Sequence, residues 1–196
     1  MVKKLTKYDI INLFTNNYNK RLYLREIADL LGKSHQTIKP YVELLVKENI
    51  LKKEKRKNII DYSLNFKNKL IYDYIVIAEK EKLQEKLKQE MYLRILFEKL
   101  SVFSKKNIYV LFGSCVNKIK KGSDIDILII GKQNLSNIIK NFEKRYKKKL
   151  HIIQVLNMNE LNLTLLKEIY KKHIIFNNTE TIITYFGELH EKNGLV

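Results

Sequence analysis

Hydrophobic residues recur at helical spacing through the first third of the chain and then give way to strand-like runs. Intervals of three and four predict one helix around residues 10–14, a second over 24–31, and a third that begins after Ser34. Two short apolar runs, at residues 50–51 and 59–64, flank a basic segment and predict a hairpin with a charged tip. We therefore expect three helices followed by a hairpin.

The middle of the chain, residues 67–106, keeps apolar positions at intervals of three and four, with Glu and Lys residues such as Lys86 on the opposite face. This pattern predicts one long helix with a solvated charged side. A connector between domains and a dimerising seam would both have this pattern, so a homodimer is one of the expectations.

Beyond residue 106 short apolar runs alternate with amphipathic segments, which is typical of an α/β unit. The expected strands are residues 108–112, 125–130 and 152–156, and the expected helices are residues 135–146, 160–171 and 181–190. The whole chain is therefore predicted to be α+β, with an N-terminal domain at residues 1–66, a helical connector at 67–106 and a C-terminal domain at 107–196.

Two acidic residues, Asp124 and Asp126, open the apolar strand expected at 125–130. Because side chains alternate along a strand, both project from the same face and can bind one hard cation together. Adjacent carboxylates beside Ile and Leu are unfavourable unless a metal or a cationic ligand neutralises them. A turn-capping role would explain one acid but not two on the same face.

The preceding strand runs directly into Gly113 and Ser114. A glycine here lets the backbone approach a phosphate group closely, and a short helix expected over residues 115–119 would offer free N–H groups to an anion. Basic side chains suited to neutralising a triphosphate follow at Lys118, Lys120 and Lys121. The glycine, the helix start and the lysines together predict a site for phosphates.

The composition favours a polyanionic partner. The 196 residues include 38 Lys and Arg against 21 Asp and Glu, a net charge of +17, and 45% are hydrophobic, enough for a substantial core. This positive excess favours nucleic acid over a membrane surface, although a lysine-rich proteome would also produce it. A single cysteine excludes an internal disulfide, and no apolar run reaches the length of a membrane span. We therefore expect a cytoplasmic protein without a membrane partner.

Residues 24–32 and 34–38 resemble the winged helix-turn-helix modules of many prokaryotic transcription regulators, and the likeness covers about residues 8–66. The resemblance implies that double-stranded DNA is a partner and that the third helix enters the major groove by its N-terminal end. The residues expected at DNA are His35, Gln36, Thr37 and Lys39 from this helix, and Lys52, Lys53, Lys55, Arg56 and Lys57 from the hairpin. A winged helix used for protein contacts alone is the alternative.

Gly113-Ser114 and Ser123-Asp124-Ile125-Asp126 resemble the signature of the DNA polymerase β-like nucleotidyltransferase superfamily, in its prokaryotic members with an N-terminal winged helix. The resemblance implies a C-terminal α/β domain with a mixed sheet, in which Asp124 and Asp126 are catalytic and hold Mg²⁺ against a nucleoside triphosphate. The nucleotide site that it implies contains Gly113, Ser114, Ser123 and Lys118.

One position departs from this signature. Active members of the superfamily usually carry a third carboxylate on the next core strand, and the matching residue here is His151. The sequence has no Asp or Glu between Lys144 and Asn159, and Glu160 follows the expected strand. A neutral imidazole is a poor ligand for Mg²⁺ and adds no negative charge, although it can accept a proton. An ordinary core or surface histidine is the simpler interpretation.

Two functional hypotheses follow. In the first, the protein is a DNA-binding enzyme that uses Mg²⁺ to transfer a nucleoside monophosphate from a nucleoside triphosphate to a hydroxyl acceptor. In the second, the C-terminal domain has lost turnover, and the chain is a transcription regulator that binds DNA and a nucleotide or a partner protein. His151 weakens the first hypothesis without excluding it.

Overall fold

The computed structural model describes residues 4–117 and 123–192, which fold into two compact units. The first contains residues 4–81 and 183–192, and the second contains residues 82–117 and 123–182. Residues 183–192 therefore belong to the same unit as the N-terminal residues. The hydrophobic pattern does not predict that the chain returns to this unit.

The first unit combines helices with a small antiparallel sheet. In chain order its elements are α1 (Lys7–Asn12), β1 (Leu22–Tyr23), α2 (Leu24–Leu31), α3 (His35–Lys47), β2 (Leu51–Arg56), β3 (Ile59–Leu64), the first part of α4 (Ile71–Gln89) and most of the last helix, Thr179–Glu191. Its fully buried side chains include Ile10, Ile11, Phe14, Ile27, Ile38, Leu45 and Ile50.

Local hydrogen bonds define the ends of the first helices. The Thr6 hydroxyl accepts the backbone N–H of Asp9, and the Asp9 carboxylate accepts the backbone N–H of Thr6 at 2.8 Å, which forms a capping box for α1. Gly32 ends α2 with a φ of 60°, a left-handed conformation that glycine adopts without strain. Ser34 caps α3 by accepting the Thr37 backbone N–H at 3.2 Å. The predicted helix start at Ser34 is confirmed.

The hairpin has longer strands and a smaller tip than the sequence pattern predicts. β2 and β3 form an antiparallel ladder that continues to the pair Arg56 and Ile59, so the turn consists of Lys57 and Asn58. The basic residues that lie in the strand rather than at the tip are Lys52, Lys53, Lys55 and Arg56. β1 pairs with the other edge of β3, which gives the order β1-β3-β2. Two residues are too few to show alternation, so the sequence did not predict β1.

The long helix expected over residues 67–106 is wrong, because two helices occupy this segment. α4 ends at Gln89, and α5 (Met91–Ser101) begins after Glu90, whose backbone is extended at φ −121° and ψ 96°. A straight helix of that length would extend about 60 Å, far beyond a compact unit. The break lets the end of α4 and all of α5 contribute to one core, and the apolar spacing alone does not reveal it.

The second unit is built on a four-stranded sheet. After α5 its elements are β4 (Asn107–Phe112), a 3₁₀ turn (Gly113–Val116), β5 (Ile125–Gly131), α6 (Ser136–Tyr146), β6 (Leu150–Val155), a second 3₁₀ turn (Met158–Glu160), α7 (Leu163–Lys171), β7 (His173–Ile175) and the start of α8 (Thr179–Glu191).

The sheet has the order β6-β5-β4-β7 and is mixed, as predicted. β5 runs parallel to β6, whereas β4 is antiparallel to both β5 and β7. On one face, alternate residues of β5 pack into a core with side chains from α5 and α6; the cluster includes Ile125, Ile127, Ile129, Leu93, Leu96, Leu100 and Phe142. Asp126 therefore points to the opposite face of the same strand.

β6 begins at Leu150 rather than at the predicted residue 152. The earlier start brings His151 into the strand, beside β5. The backbone N–H of Leu150 donates to the Glu143 carboxylate of α6 at 2.8 Å, which anchors this edge of the strand. The sequence could not predict this anchor, because it joins residues of two different elements.

In the part of the chain that the structure describes, no helix is both long enough and apolar enough to span a membrane.

We expect Gly187→Ala to destabilise the first unit. Gly187 lies in α8, where an added Cβ would overlap the Tyr72 ring at Cε1. Overpacking of this kind should lower the free energy of unfolding, measured by urea denaturation, by about 1–3 kcal/mol. In a Tyr72→Leu background the same substitution should cost far less, because the ring is gone. An equal loss in both backgrounds would contradict this contact.

Candidate functional site

The candidate site lies at the N-terminal end of β5, where three strands meet. Asp126 is opposite Phe112 of β4 on one side and opposite His151 of β6 on the other. Its neighbours along the strand, Ile125 and Ile127, are buried in the core on the other face. The Asp126 side chain is 23% exposed, so a ligand can reach the carboxylate.

Asp126 and His151 contact each other directly. Asp126 Oδ1 and His151 Nδ1 are 2.9 Å apart, and the His151 side chain is 60% exposed. An ionised carboxylate only accepts hydrogen bonds, so Nδ1 is the donor in this pair. The contact fixes the Asp126 carboxylate from the β6 side. It follows from the earlier start of β6, which gives His151 a structural partner that its sequence position did not reveal.

Gly113 touches Asp126 from the β4 side. Its φ is +73°, and a Cβ added here would lie 2.8 Å from Asp126 Oδ2. Both the backbone conformation and the close approach therefore require glycine. The structure thus brings together the two separate parts of the sequence signature, Gly113 and Asp126.

The turn after Gly113 begins earlier than expected. A 3₁₀ turn covers Gly113–Val116 and starts two residues before the helix predicted at 115–119, and the last two residues of that prediction lie outside the described residues. Ser114 on this turn is exposed. Cys115 is buried on this turn, and its Sγ–H donates to the Phe112 carbonyl at 3.0 Å. Burial raises the pKa of the Cys115 thiol to about 11, so it stays protonated and unreactive at neutral pH.

The remaining predicted nucleotide and metal residues lie in or beside the segment 118–122, which the structure does not describe. Asp124 is exposed and lies one residue before β5, and Ser123 precedes it. Lys118, together with Lys120 and Lys121, lies outside the described residues. Asp124 and Asp126 therefore both lie at the N-terminal end of β5, where Asp124 is exposed.

Sequence reasoning missed a lysine at this site. Lys86 was expected on the solvated face of a long helix, yet its side chain is only 8% exposed. Its ammonium donates to the carbonyl of Asn117, immediately after the turn, at 2.7 Å. The only sequence signal was a lysine among the apolar positions at the end of α4, which the helical pattern did not distinguish from its neighbours.

His151 occupies the position opposite Asp126 where the resemblance implies a third carboxylate. Glu160 does not replace it: its carboxylate accepts the Leu156 backbone N–H at 3.0 Å and the Asn157 side-chain amide at 2.8 Å, at the far end of β6. Within residues 4–117 and 123–192, no three His, Cys, Asp or Glu side chains are grouped to hold a metal ion.

Asp124 and Asp126 still fit one Mg²⁺. This ion takes oxygen ligands and keeps several water molecules, and substrate phosphates complete its coordination in many sites. Two carboxylates at an open strand end meet that requirement. His151 does not fit as a ligand for a second Mg²⁺, because imidazole suits softer metals and adds no negative charge. The donor set therefore fits a single ion better than a pair.

The helix residues predicted to contact DNA lie on the surface of the first unit. His35, Gln36, Thr37 and Lys39 are all exposed at the N-terminal end of α3. The Thr37 hydroxyl is already hydrogen-bonded to that of Ser34, at 2.8 Å. The Lys39 ammonium lies 3.8 Å from the Glu43 carboxylate. His35 and Gln36 are therefore the more accessible candidates for contacts to base edges.

The basic hairpin residues differ in exposure. Lys53, Lys55 and Lys57 are exposed, whereas Lys52 is half-buried. The side chain of Arg56 lies outside what the structure describes. The alternation along β2 thus turns Lys53 and Lys55 to the same solvent-facing side.

Comparison with known proteins gives a family match within the second unit. A family model described as "Polymerase beta, Nucleotidyltransferase" matches residues 96–181, which include β4, the Gly113 turn, β5 and β6. The comparisons with curated proteins and with solved structures each gave no match. The match supports a general nucleotidyltransferase-like function and does not extend to residues 1–95.

We expect His151→Asp to strengthen Mg²⁺ binding. A carboxylate beside Asp126 would add a hard, negatively charged oxygen ligand, so the dissociation constant measured by calorimetric titration with MgCl₂ should fall about tenfold or more, a change of about 1.4 kcal/mol. His151→Asn is the matched control, since it removes the imidazole without adding charge. If both variants bind Mg²⁺ equally, the charge at this position does not limit metal binding.

Proposed function

We propose, from the match of residues 96–181 to the polymerase β nucleotidyltransferase family model, that the protein transfers a nucleoside monophosphate from a nucleoside triphosphate to a hydroxyl acceptor. The single observation that carries the proposal is the contact between the Gly113 turn and the Asp126 carboxylate. It joins the turn suited to phosphates with the acid suited to a metal.

In the proposed reaction the acceptor oxygen forms a bond to the α-phosphorus, the bond from this phosphorus to the β-phosphate oxygen breaks, and pyrophosphate leaves. The acceptor proton passes to solvent. Asp124 and Asp126 would hold Mg²⁺ at the triphosphate. When bound, this ion supplies positive charge that orients the triphosphate and offsets the charge developing on pyrophosphate.

The other residues of the site hold the substrate and the acids in place. The backbone of Gly113 can approach a phosphate because no Cβ blocks it, and Ser114 presents an exposed hydroxyl beside it. His151 keeps Asp126 oriented through the 2.9 Å contact. Ser123 and Lys118 complete the proposed nucleotide site on the basis of the sequence resemblance.

Transfer of a radioactive label tests the proposal. The protein is incubated with Mg²⁺ and each α-labelled nucleoside triphosphate, with DNA, RNA, small hydroxyl compounds or the protein itself as acceptor. Asp124→Asn and Asp126→Asn should each lower transfer about hundredfold or more, because each removes a charged metal ligand. Glu168→Gln removes an exposed acid on α7 and is the control that should retain activity. Absence of both nucleotide binding and label transfer would rule out the enzyme.

A second function uses the same site without turnover. His151 at the third position favours it, because this residue supplies no third carboxylate for a second metal. The protein would then be a transcription regulator that binds DNA and a nucleotide or a partner protein. Nucleotide binding that survives in the absence of label transfer to any acceptor is the result that would favour this function over catalysis.

We further propose that the first unit binds double-stranded DNA through α3 and the hairpin. Exposure of His35 and Gln36 at the start of α3 supports this proposal, as does the shared orientation of Lys53 and Lys55 on β2. The side chains at the helix start suit base edges, and the lysines suit phosphates. Binding as a homodimer would match a two-fold operator.

Replacing Lys53 and Lys55 with Gln should weaken DNA binding and flatten its salt dependence. Each lost phosphate contact lowers the slope of log K against log salt by about 0.9, so the double variant should lose up to about 1.8. Mobility shift across a salt series measures the slope. The control is the Lys171→Gln and Lys172→Gln pair, two exposed residues of the second unit that remove the same charge. Equal slopes for the hairpin variant and the wild type would exclude phosphate contacts by these lysines.

A further inference from the structure

The ammonium of Lys86, a buried side chain, contacts the backbone immediately after the Gly113–Val116 turn of the candidate site. Lys86 lies near the end of α4, and its side chain is 8% exposed. Its ammonium donates to the Asn117 carbonyl at 2.7 Å and lies 3.8 Å from the carboxylate of Glu90, the residue at the break between α4 and α5. The proposed transfer reaction makes no direct use of this lysine.

Burial of an ammonium is unfavourable unless partners compensate it. On the same helix, Leu83 and Leu87 contribute apolar side chains to the core of the second unit. An apolar residue at position 86 would meet the packing requirement without the desolvation cost of a charge. What distinguishes the lysine from an apolar residue here is its N–H groups, which reach the Asn117 carbonyl and the Glu90 carboxylate.

The position of Asn117 indicates a role for these N–H groups. Asn117 follows the 3₁₀ turn Gly113–Val116 with helical backbone angles, φ −76° and ψ −58°, so its carbonyl lies at the C-terminal end of the turn. A cation stabilises carbonyl groups at such an end. Cys115 anchors the middle of the turn by its burial and by its hydrogen bond to the Phe112 carbonyl. Two contacts therefore hold the turn in place: the burial of Cys115 in its middle and the Lys86 hydrogen bond at its C-terminal end.

We propose that Lys86 is a positioning residue of the nucleotide site: it holds the Gly113–Val116 turn in the conformation that keeps Gly113 and Ser114 beside the Asp126 carboxylate. The inference deepens the proposed function and rests on it for the identity of the ligand, a nucleoside triphosphate. The anchoring of the turn rests on the Lys86 contacts alone.

The test uses the full chain with Lys86→Met, which keeps an apolar stem and removes the donor. The matched control is Lys88→Met on the same helix, where the side chain is 70% exposed and the ammonium faces Glu85 at 3.4 Å. Hydrogen exchange of the peptide 112–117 is measured without nucleotide. Binding of a fluorescent ATP analogue is measured with Mg²⁺.

Loss of a hydrogen bond from a charged donor should speed exchange in residues 112–117 about tenfold or more and weaken binding of the analogue by a similar factor. Lys88→Met should change neither quantity. Exchange elsewhere in the core of the second unit should stay at the wild-type rate, which separates an effect on the turn from general destabilisation.

Three results would decide against the inference or part of it. Unchanged exchange at 112–117 overturns the anchoring role. Faster exchange with unchanged affinity overturns the link to nucleotide. If the wild type itself binds no nucleotide, the proposed function fails, and the exchange measurement still decides whether Lys86 anchors the turn. Should Lys86→Met not fold, Lys86→Gln takes its place; it keeps a donor without the charge, and it should loosen the turn by a smaller factor.

Discussion

The close approach of Gly113 to the Asp126 carboxylate is the constraint on which the candidate site depends. It follows from the antiparallel pairing of β4 with β5, which puts Phe112 opposite Asp126 and makes the chain leave β4 directly over the acid. A side chain at position 113 would push the turn away. The buried isoleucines of β5 keep the strand in register, so the hydrophobic core determines where the carboxylate lies.

The same carboxylate has a second partner that shapes the chemistry. His151 contacts Asp126 from β6 at the position where a third acid would complete a two-metal site. An imidazole there orients the acid but contributes neither negative charge nor an oxygen ligand. Under the proposed function, this donor set would hold one metal ion together with phosphate oxygens rather than a pair of ions.

The first unit follows more directly from local sequence signals. The Thr6 and Asp9 capping box, the left-handed Gly32 and the Ser34 cap each depend on residues within one turn of the helix end. Apolar spacing and the Ser34 cap allowed the three helices to be predicted, and the apolar runs around the basic segment predicted the hairpin. Two features of this unit depend on contacts between distant segments: the short strand β1 and the inclusion of residues 183–192. Local sequence signals therefore do not predict them.

The sequence by itself determined most helices and strands of the fold and the chemical types at the site: the glycine and serine after one strand, the two acids at the start of the next, and the basic hairpin. Periodicity and capping are local, so they are readable in the chain. The tertiary structure decided the rest: the helix break at Glu90, the pairing of His151 with Asp126, and the burial of Lys86 against Asn117. Each of these three features depends on how two segments pack together. Hydrophobic spacing along one segment contains no information about the segment that packs against it.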